Sequence, residues 1–460
     1  MFVRNPSMNL PLKKLESQAR ACSEAMSRVL WETLVCRRPA DRALRSFLSE
    51  NRKFGSRDRR LISESIFSTL RWWGWLRRLA PKPFATPAET TQPPGNPPRT
   101  RTEDWAKLLL GAQLLEDSEH PSICRVWCRQ AGLELTVLSR PANMPLPHNR
   151  WKRLEPLFSE RDMPEFVARD LLPRYATREM ECPRPFTELV KWLQSRPPVW
   201  LRVQRTAPDS VLRKLRAADL SPVQHEVMRN AISLTAPRVN LRTLSPFRGG
   251  LFEVQDLGSQ VIGLVCEAKP GERWWDACAG AGGKAMQLAD LMGSKGSITA
   301  TDMRTYKLDD LRQRAKRAHY SNIRCREWKG GALPGAKGGF DGVLVDAPCS
   351  CSGTWRRNPD GRWTTTREDM LEQADLQLRL LRSAARGVRP SGVLVYATCS
   401  MFRRENAGVV EAFLADAPDF SLDPFTNPMT SESTDGMLQI WPWDGDSDAM
   451  FVARFRRTSE

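Results

Sequence analysis

The sequence predicts an α/β protein whose second half is a doubly wound, largely parallel sheet. From residue 251 onward, short apolar runs alternate with turns and helical segments, which is the pattern of such a sheet. Two of these runs, residues 343–346 and 393–398, are rich in β-branched residues and end in turns that carry Cys349 and Cys399. Apolar runs of this length are typical of buried parallel strands. Because ligands bind at the carboxyl ends of such strands, we expect both cysteines at one functional edge.

The composition favours a basic, multidomain protein that binds nucleic acid. At 460 residues the chain is too long for one compact core, so two or three domains are expected. Lys and Arg number 70 against 53 Asp and Glu, which gives a formal net charge of +17 and favours binding to phosphate backbones. A role of this charge in solubility alone is the other interpretation.

The cysteine pattern and hydropathy indicate a cytoplasmic location. No apolar run reaches the roughly 18 residues that suggest a membrane span, and the segment after Met1 lacks the apolar core of a secretory signal. The 11 cysteines show no framework spacing, which indicates reduced thiols. Cys124 and Cys128 lie one helical turn apart without a second pair, so we expect core residues and no metal site.

Residues 15–79 predict a series of helices, because apolar residues recur at helical spacing through most of this stretch. Gly55 is expected in a turn between two of them, with Ser56 or Asp58 as the N-cap residue of the second. The basic residues of this region are expected to form either a solvated helix face or an RNA-facing surface, and both interpretations remain open. They are Arg42, Arg45, Arg52, Lys53, Arg57, Arg59 and Arg60.

Three domains are predicted. Residues 1–196 form a helical domain, interrupted at 81–98 by a loop in which proline is frequent. A Pro-Pro pair marks its end, and residues 197–250 read as a small connecting α+β module. Residues 251–460 then form the α/β domain, whose last strand is expected to be antiparallel.

A glycine-rich turn in the α/β domain predicts a nucleoside cofactor. A strand ending at Asp276 opens into residues 278–284 and a helix, and the next strand ends at Asp302. Glycines in such a turn let a ligand approach the backbone, and a carboxylate can accept hydrogen bonds from both ribose hydroxyls. The turn lacks the complete glycine pattern of dinucleotide sites, so S-adenosylmethionine is favoured. A tight turn with a solvated Asp302 is the alternative.

The paired cysteines suit chemistry on a pyrimidine base. Attack of a thiolate on carbon 6 lets carbon 5 accept a methyl group from a sulfonium, and a second group then assists release. Cys399 precedes a predicted helix at residues 402–414, whose N-terminus would favour the thiolate. A lone buried cysteine is usually a small apolar residue, but two at paired strand ends favour the chemical role.

Several segments resemble motifs of the RNA cytosine carbon-5 methyltransferases, the family that includes bacterial RsmB. The two cysteine turns carry the most specific likeness, and the cofactor turn and its lead-in add to it. The segments are residues 346–350, 398–400 with Glu405 and Asn406, 278–284, 252–259 and 356–360, with a looser likeness of residues 55–59 to a NusB-like domain.

This resemblance implies a class I S-adenosylmethionine-dependent methyltransferase domain with a Rossmann-like fold, preceded by an all-α NusB-like domain. It implies Cys399 as the nucleophile and Cys349 as the group that assists product release. Its implied substrate is RNA, most readily ribosomal RNA, bound by a monomer. The implied cofactor-binding residues are Cys278, Ala279, Gly280, Ala281, Gly282, Gly283, Lys284, Asp302 and Asp346.

The chain departs from the family pattern at three places. Ala281 stands where proline is usual, and Cys351 stands where glycine is common. Between Ile323 and Phe340, where the family supplies an acid near the adenine, Glu327 is the acidic residue. Two other functions stay open: an RNA-binding assembly factor that has lost turnover, and a DNA cytosine methyltransferase, which the second cysteine turn disfavours.

Overall fold

The computed structural model describes residues 10–81, 84, 100–116, 121–139, 149–159, 163–235, 239–335 and 338–459. Its contacts divide the chain into two compact units. The helical unit runs to Arg178 and adds Cys182–Ser195 and Trp355–Thr365, and the sheet unit holds Glu179–Glu181, Arg196–Thr354 and the chain from Thr366 onward. The predicted division into three domains stays a prediction. Most of the predicted proline-rich loop, 81–98, lies outside the described residues.

The helical unit confirms the predicted helical character of the first part of the chain. Its first helix runs into a short π-helical turn, Trp31–Val35, and Cys124 and Cys128 are both buried, as predicted. No helix in the described part of the chain is long and apolar enough to cross a membrane. The helices are Leu12–Leu30, Ala40–Glu50, Ser56–Arg71, Trp73–Leu76, Thr102–Glu116, Pro121–Gln130, Ala176–Glu179, Phe186–Leu193 and Gly361–Thr364.

The junction before helix Ser56–Arg71 differs from the prediction in one respect. Gly55 is the N-cap residue, so the prediction of Ser56 or Asp58 at that position is wrong. Asp58 instead lies in the first turn, where its carboxylate accepts a hydrogen bond of 3.2 Å from the Gly55 backbone N–H. The acid therefore still satisfies the start of the helix, but from inside it.

Residues Trp355–Thr365, which follow the first cysteine turn in the sequence, pack within the helical unit. The Arg362 guanidinium is buried and donates hydrogen bonds to the carbonyl oxygens of Leu171 and Leu193. Asp360 accepts a hydrogen bond of 3.0 Å from the backbone N–H of Ala40. Burial lowers the pKa of Arg362 to about 9. The predicted α/β domain thus contributes a polar segment to the interior of the helical unit.

The sheet unit contains a small antiparallel sheet in the order β2-β3-β1-β4. Its strands are β1 (Val199–Val203), β2 (Pro222–Gln224), β3 (Ala231–Leu234) and β4 (Phe252–Val254). β4 lies beyond residue 250 in the sequence, yet it pairs with β1, with Leu201 opposite Val254. The helix Pro208–Arg216 packs its apolar side on this sheet. The module is therefore completed by residues predicted to begin the next domain.

The larger sheet has the order β10-β12-β9-β8-β5-β6-β7, with β11 paired to β12. The strands from β9 to β7 in this order run parallel, and β12 lies antiparallel to β9, as predicted for the last strand. The strands are β5 (Arg273–Asp276), β6 (Ser297–Asp302), β7 (Ile323–Glu327), β8 (Phe340–Asp346), β9 (Val388–Thr398), β10 (Phe420–Leu422), β11 (Met437–Ile440) and β12 (Met450–Arg457).

Neighbouring residues of each central strand point to opposite faces, and both faces are buried. Trp274 and Leu344 belong to one apolar cluster, while Trp275 and Val343 belong to the other. The helices Leu257–Val265, Gly283–Leu291 and Thr305–Arg317 cover the first face, and Arg367–Ala385 and Ala407–Asp416 cover the second. This doubly wound arrangement confirms the predicted fold class and leaves the carboxyl ends of the strands free to form a site.

Candidate active site

The two cysteine turns meet at the carboxyl edge of the larger sheet. β8 and β9 are parallel neighbours with Asp346 opposite Ala397, so the turns that follow them leave the sheet side by side. The Sγ atoms of Cys349 and Cys399 lie 3.3 Å apart. The structure therefore brings together the two thiols that the sequence predicted at one edge, and their catalytic roles stay predictions.

A buried carboxylate ties the two turns to each other. Glu405 accepts hydrogen bonds from the Ser350 N–H at 2.8 Å, from the Ser350 hydroxyl at 2.5 Å and from the Ser400 hydroxyl. Gln377 donates to Glu405 at 3.1 Å and to the Pro348 carbonyl at 2.9 Å. Burial raises the pKa of Glu405, while these hydrogen bonds oppose the shift. The relative position of the two thiols therefore depends on this carboxylate.

Asn406 holds the turn that carries Cys399 through hydrogen bonds to the residues on either side of the cysteine. Its amide oxygen accepts a hydrogen bond of 2.6 Å from the Thr398 hydroxyl, and its amide nitrogen donates to the Ser400 carbonyl at 3.0 Å. In the sequence, Glu405 and Asn406 belong to the motif that resembles the family, which assigns them no role. The acid–amide pair that follows the Thr-Cys-Ser turn in the sequence is the pattern that indicates side chains holding the turn.

The predicted start of the helix after Cys399, at residue 402, is wrong. The helix begins at Ala407, after a 3-10 turn at Arg403–Glu405, and not at residue 402. The Cys349 thiol lowers the pKa of Cys399 by hydrogen bonding, but Cys351, burial and Asp346 raise it, and the net direction is upward. Cys399 therefore rests as a thiol in this arrangement.

Cys351 forms a third member of the thiol group. Its Sγ and those of Cys349 and Cys399 all lie within 4.8 Å of one another. Hydrogen bonds from the two other thiols lower the pKa of Cys351, although burial opposes the shift. Its backbone has a φ of 57°, in the left-handed region that residues other than glycine rarely adopt. The sequence identified this residue as unusual but gave it no role.

The glycine-rich turn has the shape of a ligand cradle. Gly282 has a φ of 83°, and a Cβ there would lie 1.9 Å from a methyl carbon of Leu311, so only glycine fits. Gly280 has a φ of 53°, and a Cβ there would meet open space. Its N–H donates a hydrogen bond of 3.0 Å to Asp302. The turn is thus packed on one side and open at Gly280 on the other.

The other residues of the turn are held by one backbone contact and one side-chain contact. Ala279 donates its N–H to the Thr301 carbonyl at 2.8 Å, and the Ala281 carbonyl accepts a hydrogen bond of 2.6 Å from Arg314. Gly283 begins the helix Gly283–Leu291, and Cys278 is half-buried. These contacts keep the turn closed without the proline that the family pattern has at residue 281.

Asp302 ends β6 and is already engaged by a neighbouring cation. Its Oδ1 accepts hydrogen bonds from the Arg304 N–H at 2.8 Å and Nε at 3.0 Å, and its Oδ2 accepts one from Nη2 at 3.1 Å. Burial raises the pKa of Asp302, but these contacts and the Gly280 N–H lower it, and the net direction is downward. With its lone pairs filled, Asp302 can accept ribose hydroxyls only where the half-exposed Arg304 side chain gives way.

Lys284 connects the cofactor turn to the cysteine turns. Its Nζ donates a hydrogen bond of 2.7 Å to Asp346, the last residue of β8. Burial lowers the pKa of Lys284, but the Asp346 carboxylate raises it, and the net direction is upward. Asp276, at the end of β5, is fully buried, and burial together with Asp346 raises its pKa to about 8. The edge therefore carries two charged pairs, Arg304–Asp302 and Lys284–Asp346, and a carboxyl group that is neutral near pH 7.

Glu327 is placed where an acid could serve the same edge. It ends β7 in register with Asp302, is exposed, and pairs with Lys329 at 2.9 Å. Residues 336 and 337 of the segment in which the family acid was sought lie outside the described residues. Glu327 therefore stays a candidate by position, without an assigned contact.

Six of the seven basic residues singled out between Arg42 and Arg60 are exposed, and Arg59 is half-buried. Arg45 pairs with Asp41 at 3.4 Å, and Arg60 pairs with Glu64 at 2.9 Å, both one helical turn apart. Such pairs on a surface contribute little to stability. Both interpretations of these residues, a solvated helix face and an RNA-facing surface, therefore stay open.

Comparison with known proteins places these turns in a family. The family model described as 16S rRNA methyltransferase RsmB/F matches residues 264–456. A ribosomal RNA small subunit methyltransferase B from Klebsiella pneumoniae is 30% identical over 422 residues, which cover 87% of this chain and 91% of that protein. The chain belongs to the RsmB/F family. The resemblance drawn from the sequence motifs is thereby confirmed.

Other relatives of this RsmB/F chain agree. A probable ribosomal RNA small subunit methyltransferase B from Bacillus subtilis is 35% identical to this chain over 223 residues. The matched residues cover 49% of that protein, so the chain spans about half of its length, and they cover 46% of this chain. A crystal structure of the protein PH0851 superimposes on this chain with a TM-score of 0.73 at 23% sequence identity. The superposition covers 98% of this chain and 100% of the PH0851 chain. The likeness in fold therefore covers 98% of the RsmB/F chain, while the NusB-like character of its first domain stays a prediction.

The first testable prediction concerns the Glu405 carboxylate. Glu405→Gln replaces one acceptor oxygen by an amide that faces the Ser350 and Ser400 donors, so it should lower the free energy of unfolding by about 1–3 kcal/mol. Urea denaturation of the reduced protein measures this change. Glu411→Gln, at an exposed residue that pairs with Arg403, is the matched control. Equal midpoints for the two variants would contradict the structural role.

The second prediction concerns the pH dependence that Asp276 introduces. A carboxyl with an ordinary pKa near 3.9 when unfolded and about 8 when folded binds more protons in the folded state between these values. The free energy of unfolding of the native sequence should therefore fall with rising pH across this window, by up to about 1.4 kcal/mol per pH unit relative to Asp276→Asn.

Chemical denaturation at several pH values between about 5 and about 8 measures the difference. Asp309→Asn is the control, because Asp309 is exposed and pairs with Arg312 on the helix surface. Parallel pH profiles for the native protein and Asp276→Asn would show that the buried carboxyl does not titrate as expected.

Proposed function

We propose that the chain is an S-adenosylmethionine-dependent methyltransferase that methylates carbon 5 of a cytosine in ribosomal RNA. The observation that carries the proposal is the pair of thiols, Cys349 and Cys399, with Sγ atoms 3.3 Å apart beside the Lys284–Asp346 pair. The names of the relatives support ribosomal RNA as the substrate. The thiol chemistry supports carbon 5 of a pyrimidine, and cytosine is inferred from the resemblance of the two cysteine turns to those of the RNA cytosine carbon-5 methyltransferases.

The residues of the cofactor turn fit S-adenosylmethionine. Gly280 leaves open space over the turn, and Asp302 presents a carboxylate at the end of the next strand, where ribose hydroxyls are bound in folds of this class. Lys284 and Asp346 join this turn to the thiols. When bound, the cofactor supplies an electrophilic methyl group next to the cysteine turns. Each of these groups comes from one chain, so a monomer is sufficient.

Cys399 is proposed as the nucleophile. Its thiolate attacks carbon 6 of the cytosine, which forms an S–C bond, breaks the π bond between carbons 5 and 6, and makes carbon 5 nucleophilic. Because the pKa of Cys399 is raised, the thiol must lose its proton when the base is bound. The Lys284 ammonium, paired with Asp346 near this thiol, favours the negative charge that develops there.

Cys349 is proposed to act at the release step. The carbon 5 proton must pass to a base, for which we propose the Cys349 sulfur in its thiolate form. The electron pair of the broken C–H bond re-forms the double bond between carbons 5 and 6, and the bond between Cys399 and carbon 6 breaks with its electron pair returning to sulfur. Cys349 lies 3.3 Å from Cys399, close enough to reach the same base. Glu405 holds both turns, so the two thiols keep this spacing through the reaction. None of these steps requires a metal ion.

The substrate cytosine must be unpaired or flipped out. A thiol at the edge of a sheet reaches carbon 6 only when the base leaves its stack. The net charge of +17 supports binding of the surrounding phosphate backbone. The helical unit, with its exposed arginines, is the proposed site of additional RNA contacts, in keeping with the predicted NusB-like domain.

The third prediction separates the roles of the two cysteines. With Cys349→Ala, the covalent adduct to ribosomal RNA forms but is not released, so a slowly migrating RNA–protein species should accumulate on a denaturing gel with S-adenosylmethionine. Cys399→Ala and the double variant should form none. Cys36→Ala, at an exposed cysteine of the helical unit, is the control and should behave like the native protein. Accumulation with Cys399→Ala instead would exchange the two roles.

The fourth prediction concerns cofactor affinity. Asp302→Asn removes the charge that accepts the ribose hydroxyls and should weaken binding of S-adenosylmethionine by about 10- to 100-fold in isothermal calorimetry. Asp309→Asn, on the surface of the following helix, is the matched control. A native protein that binds ribosomal RNA but takes up no cofactor would favour the inactive assembly factor over the enzyme.

A further inference from the structure

We propose that Cys349, Cys351 and Cys399 form a three-sulfur binding site for a thiophilic divalent cation such as Zn²⁺. The cation would compete with the RNA base for the same thiols. The site shares Cys349 and Cys399 with the proposed methylation chemistry, which uses no metal, and adds Cys351, which that chemistry does not use. Its effect on turnover rests on the proposed function, whereas binding of the cation does not.

The distances between the sulfur atoms suit zinc. Ligand sulfurs about 2.3 Å from zinc stand roughly 3.8 Å apart in a tetrahedral site. The three Sγ atoms lie within 4.8 Å of one another, and the pair from Cys349 and Cys399 is 3.3 Å apart. Small side-chain rotations are enough to reach the ligand geometry. Three protein ligands would leave a fourth position open to water or to a second ligand.

Cys351 is the residue that makes the site more than a catalytic pair. No step of the proposed mechanism uses it, yet it is exposed and occupies a left-handed backbone position with a φ of 57°. A residue with a side chain is about 1–2 kcal/mol less stable than glycine in this backbone conformation. Strain retained next to a functional site is evidence that the side chain has a use there. The thiol is the part of the Cys351 side chain that would have this use.

The surroundings of the three thiols are compatible with a cation. Two positively charged side chains lie nearby, but Lys284 is paired with Asp346 and Arg304 with Asp302, so each carboxylate offsets the repulsion between its partner and a bound cation. Glu405 fixes the turns of Cys349 and Cys399, so two of the three ligands are held before the cation arrives. The exposed Cys351 provides access from solvent.

Binding would block methyl transfer directly. A coordinated sulfur has given its lone pair to the metal, so Cys399 could not attack carbon 6 and Cys349 could not act at release. Each thiol loses its proton as it coordinates. Zn²⁺ would therefore be a reversible inhibitor that competes with the RNA base, and its potency would depend on Cys351.

The test is a Zn²⁺ titration of the reduced, full-length protein against a chromophoric chelator, without RNA. The native protein should bind one Zn²⁺ about 100-fold more tightly than Cys351→Gly, which removes the thiol and relieves the strained backbone. Cys351→Ser, which keeps the side chain but loses the sulfur, should be weakened similarly. Cys36→Ala, at another exposed cysteine, should bind like the native protein. Thermal unfolding of each variant verifies that it is folded.

Co²⁺ in place of Zn²⁺ reports the ligands. The native protein should show a thiolate-to-cobalt charge-transfer band whose intensity falls by about a third in Cys351→Gly. Equal Zn²⁺ affinities of the native protein and both Cys351 variants, or no thiolate band, would overturn the proposal. Methylation of ribosomal RNA is measured separately, with inhibition by Zn²⁺ expressed relative to the metal-free rate of each variant. Tight Zn²⁺ binding without methylation would refute the proposed function and leave the metal site standing.

Discussion

The buried carboxylate of Glu405 is the interaction on which the candidate site depends. Parallel strands place their ends next to each other, but turns leaving those ends can diverge. Here one carboxylate accepts hydrogen bonds from Ser350 and Ser400, one residue beyond each central cysteine. A buried acid without donors would be costly, so its stability in this place requires both turns at once. The spacing of the two thiols follows from that requirement.

The charges around this carboxylate form a second constraint. Lys284 pairs with Asp346, which neutralises one buried ion, whereas Asp276 avoids the cost of charge through a pKa raised to about 8. At the neighbouring strand end, Arg304 fills the oxygens of Asp302. The cofactor turn, the cysteine turns and their charges therefore behave as one polar edge on an apolar sheet, and a change in one member alters the others.

Much of this arrangement was predictable from local patterns. The β-branched runs before Asp346 and before Cys399 were recognised as strands because their periodicity and boundaries are local properties. The strand ending at Asp302 and the glycine turn before Lys284 were recognised for the same reason. The two errors concern element ends: Ser56 is not an N-cap residue, and the helix after Cys399 begins at Ala407. The first end is set by a contact within one turn, from the Gly55 N–H to Asp58, whereas the second lies beyond Glu405, whose long-range contact with Ser350 is not part of local propensity.

The sequence by itself determined the fold class, the edge at which the cysteines lie and the family, because these follow from short-range periodicity and motif spacing. Tertiary structure alone decided which side chains meet. It placed Glu405 against both cysteine turns, paired Arg304 with Asp302, and put residues 355–365 inside the helical unit. It also assembled three thiols from two turns that are far apart in the chain. Zinc spacing in a sequence reveals ligands that are neighbours along the chain, whereas Cys399 joins Cys349 and Cys351 only when the parallel strands pair.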